Sequence, residues 1–216
     1  MSGKLPPSAS VASALEGAKL HAPAAARNTE ALCGLLRQHA PTSGQALELA
    51  SGTGQHVIAF AAALPDVIWQ PTEIGVTRLA SINAYASGSG LSNINPARVL
   101  DATQPGWHRV HPDKSLIVLA NLLHLITEQA ANTLIAEALM ALAPGGRAIL
   151  YGPFKRAGTL TSPGDERFDA QLRGADPTIG YKDDSDVKGW VIQAGGSGIK
   201  TVEMPANNLA FIATKA

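Results

Sequence analysis

The residues best suited to chemistry lie in one run, in which an apolar segment containing an acid leads into two glycines. The run is ALELASGTGQH, residues 46–56. Glycines let a backbone approach a ligand closely, and the first amides of a helix are unpaired donors that bind polar or negative groups. A strand, a glycine turn and a helix in this order predict a binding element for a nucleotide-like cofactor.

The residue types of the turn distinguish between three kinds of cofactor. A phosphate-binding P-loop ends in Gly-Lys-Ser or Gly-Lys-Thr, and this turn does not. A dinucleotide fingerprint needs a small residue where this chain has Val57, which weakens a nicotinamide interpretation. Glu48 would repel a pyrophosphate but attract the ammonium and sulfonium groups of S-adenosylmethionine (SAM). The turn therefore favours SAM, and a tight turn without a ligand is the alternative.

Composition limits the partners of the chain. Its 216 residues contain 17 Lys and Arg against 17 Asp and Glu, so no general attraction to nucleic acid or to an anionic membrane is expected. The longest apolar run, 116–126, is too short to cross a bilayer. The beginning of the chain lacks the apolar stretch of a signal peptide, which predicts a cytoplasmic location. No histidine has the spacing of a zinc ligand, and the single cysteine, Cys33, is predicted to be a core residue.

Apolar periodicity predicts the order of helices and strands. Residues 1–22 indicate a loose arm, and residues 23–216 a single domain that begins with a helix over 30–39. Strands are predicted at 46–50, 67–70, 98–100, 116–120 and 147–151, with helices at 55–64, 76–85 and 128–142 between them. This alternation is typical of an α/β domain with a mostly parallel sheet and helices on both faces.

The last third of the sequence departs from this alternation. Two helices, at 166–173 and 186–194, precede extended runs at 199–204 and 209–214. The link between the two runs is too short for a parallel crossover, so they must form an antiparallel hairpin. A parallel sheet that ends in such a hairpin indicates the Rossmann-like class I methyltransferase fold rather than the dinucleotide-binding arrangement.

Polar residues follow the predicted strands at the edge where an open parallel sheet binds ligands. Glu73 ends the second strand, at the distance from the glycines where an acid commonly accepts both hydroxyls of an adenosine ribose. Asp101 and Ala102 end the third strand, where they could contact an adenine edge, and Asn121 ends the fourth. Glu73 and Asp101 could instead be helix caps or surface acids.

Two further side chains are candidates for the acceptor side of the site. His124 ends the fourth strand and could act as a general base, or it could be a packed histidine bonded to the backbone. Tyr151 begins the run YGPFKR, 151–156, which could form a substrate wall with a cationic rim. A solvated exit from the strand is the alternative for this run.

The sequence resembles the methyltransferase-like protein 26 family, also known as domain of unknown function 938, over nearly its full length. The shared motifs are RN at 27–28, ELASGTGQH at 48–56, WQP at 69–71, YGPFKR at 151–156 and MPANNL at 204–209. The resemblance implies a class I fold that binds SAM, and it suggests that Arg27, Asn28, Asn207 and Asn208 close the site. Residues 73–75 keep the first acid of the family pattern and lack a second.

Together these observations predict a SAM-dependent methyltransferase that acts on a small molecule, with Tyr151 and His124 as catalytic residues. A catalytically silent SAM sensor or partner subunit is the alternative, and a nicotinamide oxidoreductase a third. The oligomeric state is open, with a homodimer as one alternative, and no metal is expected. The predicted cofactor contacts are Arg27, Asn28, Glu48, Ala50, Ser51, Gly52, Gly54, Gln55, Glu73, Ile74, Asp101, Ala102 and Asn121.

Overall fold

The computed structural model describes residues 5, 6 and 8–216. The first elements are a short antiparallel hairpin, β1 (Ser13–Ala14) and β2 (Leu20–His21), and a helix, α1 (Pro23–His39). The predicted start of this helix at residue 30 is wrong, because Pro23 fits the first helical position and the alanines after it are strong helix formers. Residues 1–4 and 7 of the predicted arm lie outside the described residues.

The remaining elements follow the predicted alternation. They are β3 (Gly44–Leu49), α2 (Gln55–Ala63), β4 (Val67–Glu73), α3 (Val76–Ser89), β5 (Arg98–Val99), β6 (Lys114–Ala120), α4 (Glu128–Ala141), β7 (Leu142–Pro153), α5 (Pro163–Ala175), α6 (Asp184–Gln193), β8 (Gly196–Met204) and β9 (Asn208–Lys215). Single turns of 3₁₀ helix occur at Trp107–Arg109 and Leu123–Leu125.

Seven strands form one sheet in the order β5-β4-β3-β6-β7-β9-β8. The first five strands of this order are parallel, and β9 pairs antiparallel with both β7 and β8. The predicted α/β fold with a C-terminal antiparallel hairpin is thus confirmed. The strand order reverses between β3 and β6, so the turn after β3 opens into the crevice where open α/β sheets bind ligands.

The central strands of the sheet are buried on both faces. Along β3, Leu47 and Leu49 belong to one hydrophobic cluster, while Ala46 belongs to the cluster on the opposite face. The side chains of neighbouring β6 alternate between the two clusters in the same way. Cys33 is buried in the cluster that contains Ala46, as predicted for a core residue. Strands covered on both faces are apolar along their length, which leaves the polar residues to the strand ends. Within the described residues no helix is long and apolar enough to span a membrane.

Candidate functional site

A cleft of about 1200 Å³ opens at the carboxyl ends of the parallel strands. All of the predicted site residues line this cleft except Glu48, Gly54 and Gln55. The lining residues are Arg27, Asn28, Ala50, Ser51, Gly52, Glu73, Ile74, Asp101, Ala102, Asn121, His124 and Tyr151. Because these residues come from α1 and from the ends of five strands, only the parallel sheet could bring them together.

The two glycines of the turn are required for different reasons. A Cβ at Gly54, which has φ of 92°, would lie 2.7 Å from the Cα of Ile82, so Gly54 lets α2 pack closely on α3. Gly54 does not line the cleft. Gly52 lines it, has φ of 61°, and its nearest obstacle would be a side-chain atom of Arg78 at 3.8 Å. Gly52 is therefore the glycine that leaves backbone open to a ligand.

Glu73 is held in place by backbone amides beside the turn. Its carboxylate accepts hydrogen bonds from the amide of Gly52 at 3.0 Å and from that of Ile74 at 2.8 Å. The guanidinium of Arg78 lies 3.9 Å from one carboxylate oxygen. A third amide, that of Gly75, lies 3.5 Å from the oxygen that the Ile74 amide contacts. An ionised carboxylate has about four acceptor positions, so Glu73 keeps capacity for further donors, such as hydroxyls.

Glu48 lies behind the turn and outside the cleft lining. It is 2 % exposed, and its Oε2 atom has no hydrogen-bond partner among the described residues. Burial raises the pKa of Glu48 to about 8, while a hydrogen bond with Ser51 lowers it and the charge of Glu73 raises it further. The side chain is therefore mostly neutral near pH 7, and a cation bound nearby would favour its ionised form.

A second cluster joins α1 and α2 to the end of β7. His56 donates from Nε2 to Oδ1 of Asn28 at 2.7 Å, and burial lowers the pKa of His56 to about 4, so the ring is neutral. Burial raises the pKa of Tyr151, which is 1 % exposed, and a hydrogen bond with Asn28 lowers it. All three side chains line the cleft. His56 was not among the predicted contacts, although its position in the first turn of the helix after the glycines could have indicated it.

Asp101 and Asn121 lie at the ends of β5 and β6. The Asp101 carboxylate is exposed and accepts from the amide of Thr103 at 3.0 Å and from its hydroxyl at 2.6 Å, as a turn-capping acid does. Asn121 has φ of 58° and donates its amide to the carbonyl of Tyr151 at 2.9 Å. Ala50, with φ of 50°, is also left-handed. Such strained residues tend to occur at functional sites.

His124 is packed and lines the cleft at the same time. It is 6 % exposed, and its ring meets those of Phe168 and Tyr181 edge-on, with centroids 5.7 and 6.1 Å apart. Burial and the nearby Lys182 lower the pKa of His124 to about 3, while Asp169 raises it. The ring is neutral and would be a weak base, so it suits hydrogen bonding and packing better than proton removal.

A segment near the start of the described residues lies against the cleft. Residues 8–12, here called the strap, include Ser10, whose carbonyl accepts a hydrogen bond from Arg78 at 3.1 Å. The Ser8 hydroxyl donates to Gln171 of α5 at 2.8 Å. Gln55, the third predicted contact outside the cleft lining, instead accepts from the amide of Ala22, just before α1, at 2.6 Å. The strap thus bridges from the Glu73 end of the cleft to α5.

Arg78 was missed by the sequence analysis, as were the cleft-lining Phe168, Ile179 and Tyr181. Arg78 follows Glu73 in the first turn of the next helix, which is a local signal. The other three depend on how α5 folds back over the sheet, and no local signal indicates them. Within the described part of the chain, no group of three His, Cys, Asp or Glu side chains is arranged to hold a metal ion.

Residues 19–215 match the model of the family described as "Protein of unknown function (DUF938)". The chain belongs to this family. The match confirms the predicted resemblance to domain of unknown function 938. The DUF938 match begins just before β2 and covers the cleft-lining residues other than Leu5 and those of the strap.

Solved methyltransferase structures share the DUF938 fold seen here. An O-methyltransferase family protein from Burkholderia thailandensis is similar with a TM-score of 0.75 and 14% identity, over 89% of this chain and 57% of that one. The methyltransferase SibL gives 0.73 and 16%, over 88% and 55%. Human N-acetylserotonin methyltransferase, in complex with SAM, gives 0.72 and 15%, over 89% and 53%. The chain spans a little over half the length of these proteins, and the similarity establishes a class I methyltransferase fold.

Proposed function

We propose that this protein is a SAM-dependent methyltransferase that acts on a small-molecule acceptor. The observation that carries the proposal is the Glu73 carboxylate, which two backbone amides hold beside the open Gly52 turn at the switch point of the sheet. Two hydroxyls on neighbouring carbons are the donors that such a carboxylate accepts best, and a ribose supplies them. The narrower resemblance to methyltransferase-like protein 26 supports the same proposal through the motif residues that line the cleft.

The charges around the cleft match those of SAM. Glu48 lies behind the turn with an unpartnered oxygen, and it would favour the ammonium and sulfonium groups. Arg27 is exposed on α1, lines the cleft, and would pair with the amino-acid carboxylate. Asp101 and Ala102, beyond the Glu73 end, would face the adenine edge.

The acceptor would reach the cofactor over Asn121, His124 and Tyr151. Bound SAM would supply an already activated methyl group, and transfer of this methyl group to the acceptor leaves a neutral thioether. The protein therefore has to align the acceptor and exclude water rather than stabilise a strong charge. The packed ring of His124 and the Asn28–Tyr151 hydrogen bond would hold the acceptor side of the cleft in one shape.

A catalytically silent SAM-binding protein is the second candidate function. It is favoured by His124, because a buried ring with a pKa of about 3 is too weak a base to take a proton from most acceptors. Acceptors that are themselves acidic, or that need no base, fit the enzyme equally well. Turnover by SAM-saturated protein on a panel of phenols, thiols and amines separates the two candidates.

Calorimetric titration with SAM tests the binding step, with NAD⁺ as the comparison ligand. We expect SAM to bind and NAD⁺ not to bind. Glu73→Ala should weaken SAM binding by about tenfold to a hundredfold, since it removes hydrogen bonds to a charged acceptor. The exposed Glu203, which lies outside the cleft, provides the control Glu203→Ala with unchanged affinity. Unaltered SAM affinity in Glu73→Ala would refute the ribose assignment, and failure of the wild-type protein to bind SAM would refute the proposed function.

A further inference from the structure

We infer that the acceptor is an uncharged aromatic molecule whose ring lies against His124, Phe168 and Tyr181, here called the aromatic wall. The inference rests on the function proposed above and adds the chemical class of the substrate. It follows from the position of the wall in the cleft, from the geometry of its rings, and from the charges that surround it.

The order of strands places the wall at the acceptor end. Glu73 ends β4, whereas His124 follows β6. The segments that hold Phe168 and Tyr181 come after β7, which is the last of the parallel strands on the side away from β4. With strands about 4.8 Å apart, β4 and β7 are separated by about 14 Å. A cofactor whose ribose is at Glu73 and whose amino acid is at the turn after β3 leaves the wall to a second ligand.

The rings of the wall offer mostly edges and faces, and Nδ1 of His124 has no hydrogen-bond partner among the described residues. His124, Phe168 and Tyr181 meet one another edge-on, with centroid distances between 5.7 and 6.1 Å. The Tyr181 hydroxyl is already bonded to Asp165 at 3.1 Å, so it is not free for a ligand. Phe168 is only partly buried and lines the cleft, as does the apolar Ile179. Planar rings stack on or abut such a surface with more contact than saturated ones.

The cations next to the wall are occupied. Lys182 is 3 % exposed and donates to the carbonyls of Ile126 at 2.7 Å and Gly180 at 2.8 Å. Arg173 pairs with Asp169 at 2.8 Å, and neither cation lines the cleft. A carboxylate or phosphate on the acceptor would therefore lose its hydration without gaining a charged partner from either of them.

The only acid that lines this end of the cleft, among the described residues, is Asp176. Its Oδ1 atom already accepts from both the amide and the hydroxyl of Thr178. Asp176 would repel an anionic acceptor, and its partly exposed, hydrogen-bonded carboxylate would attract a cation only weakly. Ala9 of the strap is 8 % exposed and belongs to the same buried cluster as Tyr181, against which Phe168 also packs. A neutral ring fits this end best, because Asp176 would repel an anion and would attract a cation only weakly.

Binding measurements on matched small molecules test the inference without turnover. The protein is first saturated with S-adenosylhomocysteine, and four probes are then titrated: para-cresol, para-hydroxybenzoate, tyramine and para-methylcyclohexanol. We expect para-cresol to bind at least about tenfold tighter than the carboxylate and the amine, and about threefold tighter than the saturated alcohol. Equal or tighter binding of para-hydroxybenzoate, tyramine or para-methylcyclohexanol overturns the inference, as does a complex that binds none of the four.

Two variants of one wall residue add a matched test. Phe168→Leu should lower the affinity for para-cresol by about threefold to tenfold and leave that for S-adenosylhomocysteine unchanged, whereas Phe168→Tyr should keep both. Unchanged para-cresol binding in Phe168→Leu contradicts the inference alone. Absence of S-adenosylhomocysteine binding in the wild-type protein contradicts the proposed function, and the inference falls with it. If Phe168→Leu does not fold, the comparison of probes on the wild-type protein decides.

Discussion

Replacing Glu48 by glutamine should change how the stability of the protein depends on pH. Burial raises the pKa of Glu48 from 4.5 to about 8 in the folded protein. A carboxyl group whose pKa is raised on folding stabilises fully below its unfolded pKa, and this contribution is lost as pH rises through the folded value. The folded wild-type protein should therefore lose stability between about pH 5 and about pH 8. The glutamine side chain of the variant has nearly the same shape and does not titrate.

The size of the effect follows from the two pKa values. Each pH unit inside the window is worth up to about 1.4 kcal/mol. Between about pH 6 and about pH 8 the Glu48 term should remove about 2 kcal/mol from the free energy of unfolding, because the group is half ionised at the upper end. The same argument predicts that SAM binding releases a proton near neutral pH, since the cationic ligand favours ionised Glu48.

Urea unfolding of the wild-type protein and the Glu48→Gln variant at a series of pH values measures this term. The difference between the two free energies of unfolding should shift by about 2 kcal/mol between about pH 6 and about pH 8. Glu30→Gln, at an exposed position on α1, is the control and should follow the wild-type curve. Parallel pH curves for wild type and Glu48→Gln would show that Glu48 is not a buried, neutral acid.

The two turn glycines should respond differently to alanine. Gly54→Ala should cost about 2 to 5 kcal/mol of stability, because the new Cβ would lie 2.7 Å from the Ile82 backbone at a positive φ. Gly52→Ala should cost only about 1 to 2 kcal/mol of stability but weaken SAM binding at least about tenfold. Equal loss of stability in the two variants would contradict the assignment of Gly54 to helix packing and of Gly52 to ligand binding. The His124 ring should stay neutral above about pH 5. Nitrogen NMR of the ring, with the signal assigned by its loss in His124→Asn, should therefore show no titration between about pH 5 and about pH 8. A His124 signal that titrates in this range would refute the buried geometry.

The sequence was sufficient to predict the sheet, because its strands are buried on both faces and their apolar runs end in polar residues. The C-terminal hairpin also followed from the sequence, since a link as short as the predicted 205–208 forbids a crossover. α1 begins at Pro23, seven residues before the predicted start at residue 30, because the small residues that follow Pro23 show no apolar periodicity. Alanines after a proline form a helix when a hydrophobic face further along packs on the sheet.

The cleft was predicted best where it is built from strand ends, as at Glu73 and Asn121. It was predicted worst where distant parts of the chain meet. Whether Gly54 faces a ligand or a neighbouring helix depends on Ile82, which no pattern within the turn encodes. The aromatic wall likewise arises from α5 and the loop after it folding back onto the end of β6, and such long-range packing has no periodicity to detect.

A crystal structure of the complex with S-adenosylhomocysteine tests the central claim most directly. We predict that both ribose hydroxyls of the ligand donate to the Glu73 carboxylate and that its amino-acid part lies along the backbone at Gly52. The thioether sulfur should then face Asn121 and the aromatic wall. A ligand bound elsewhere, or bound in this cleft with its ribose away from Glu73, would contradict the account.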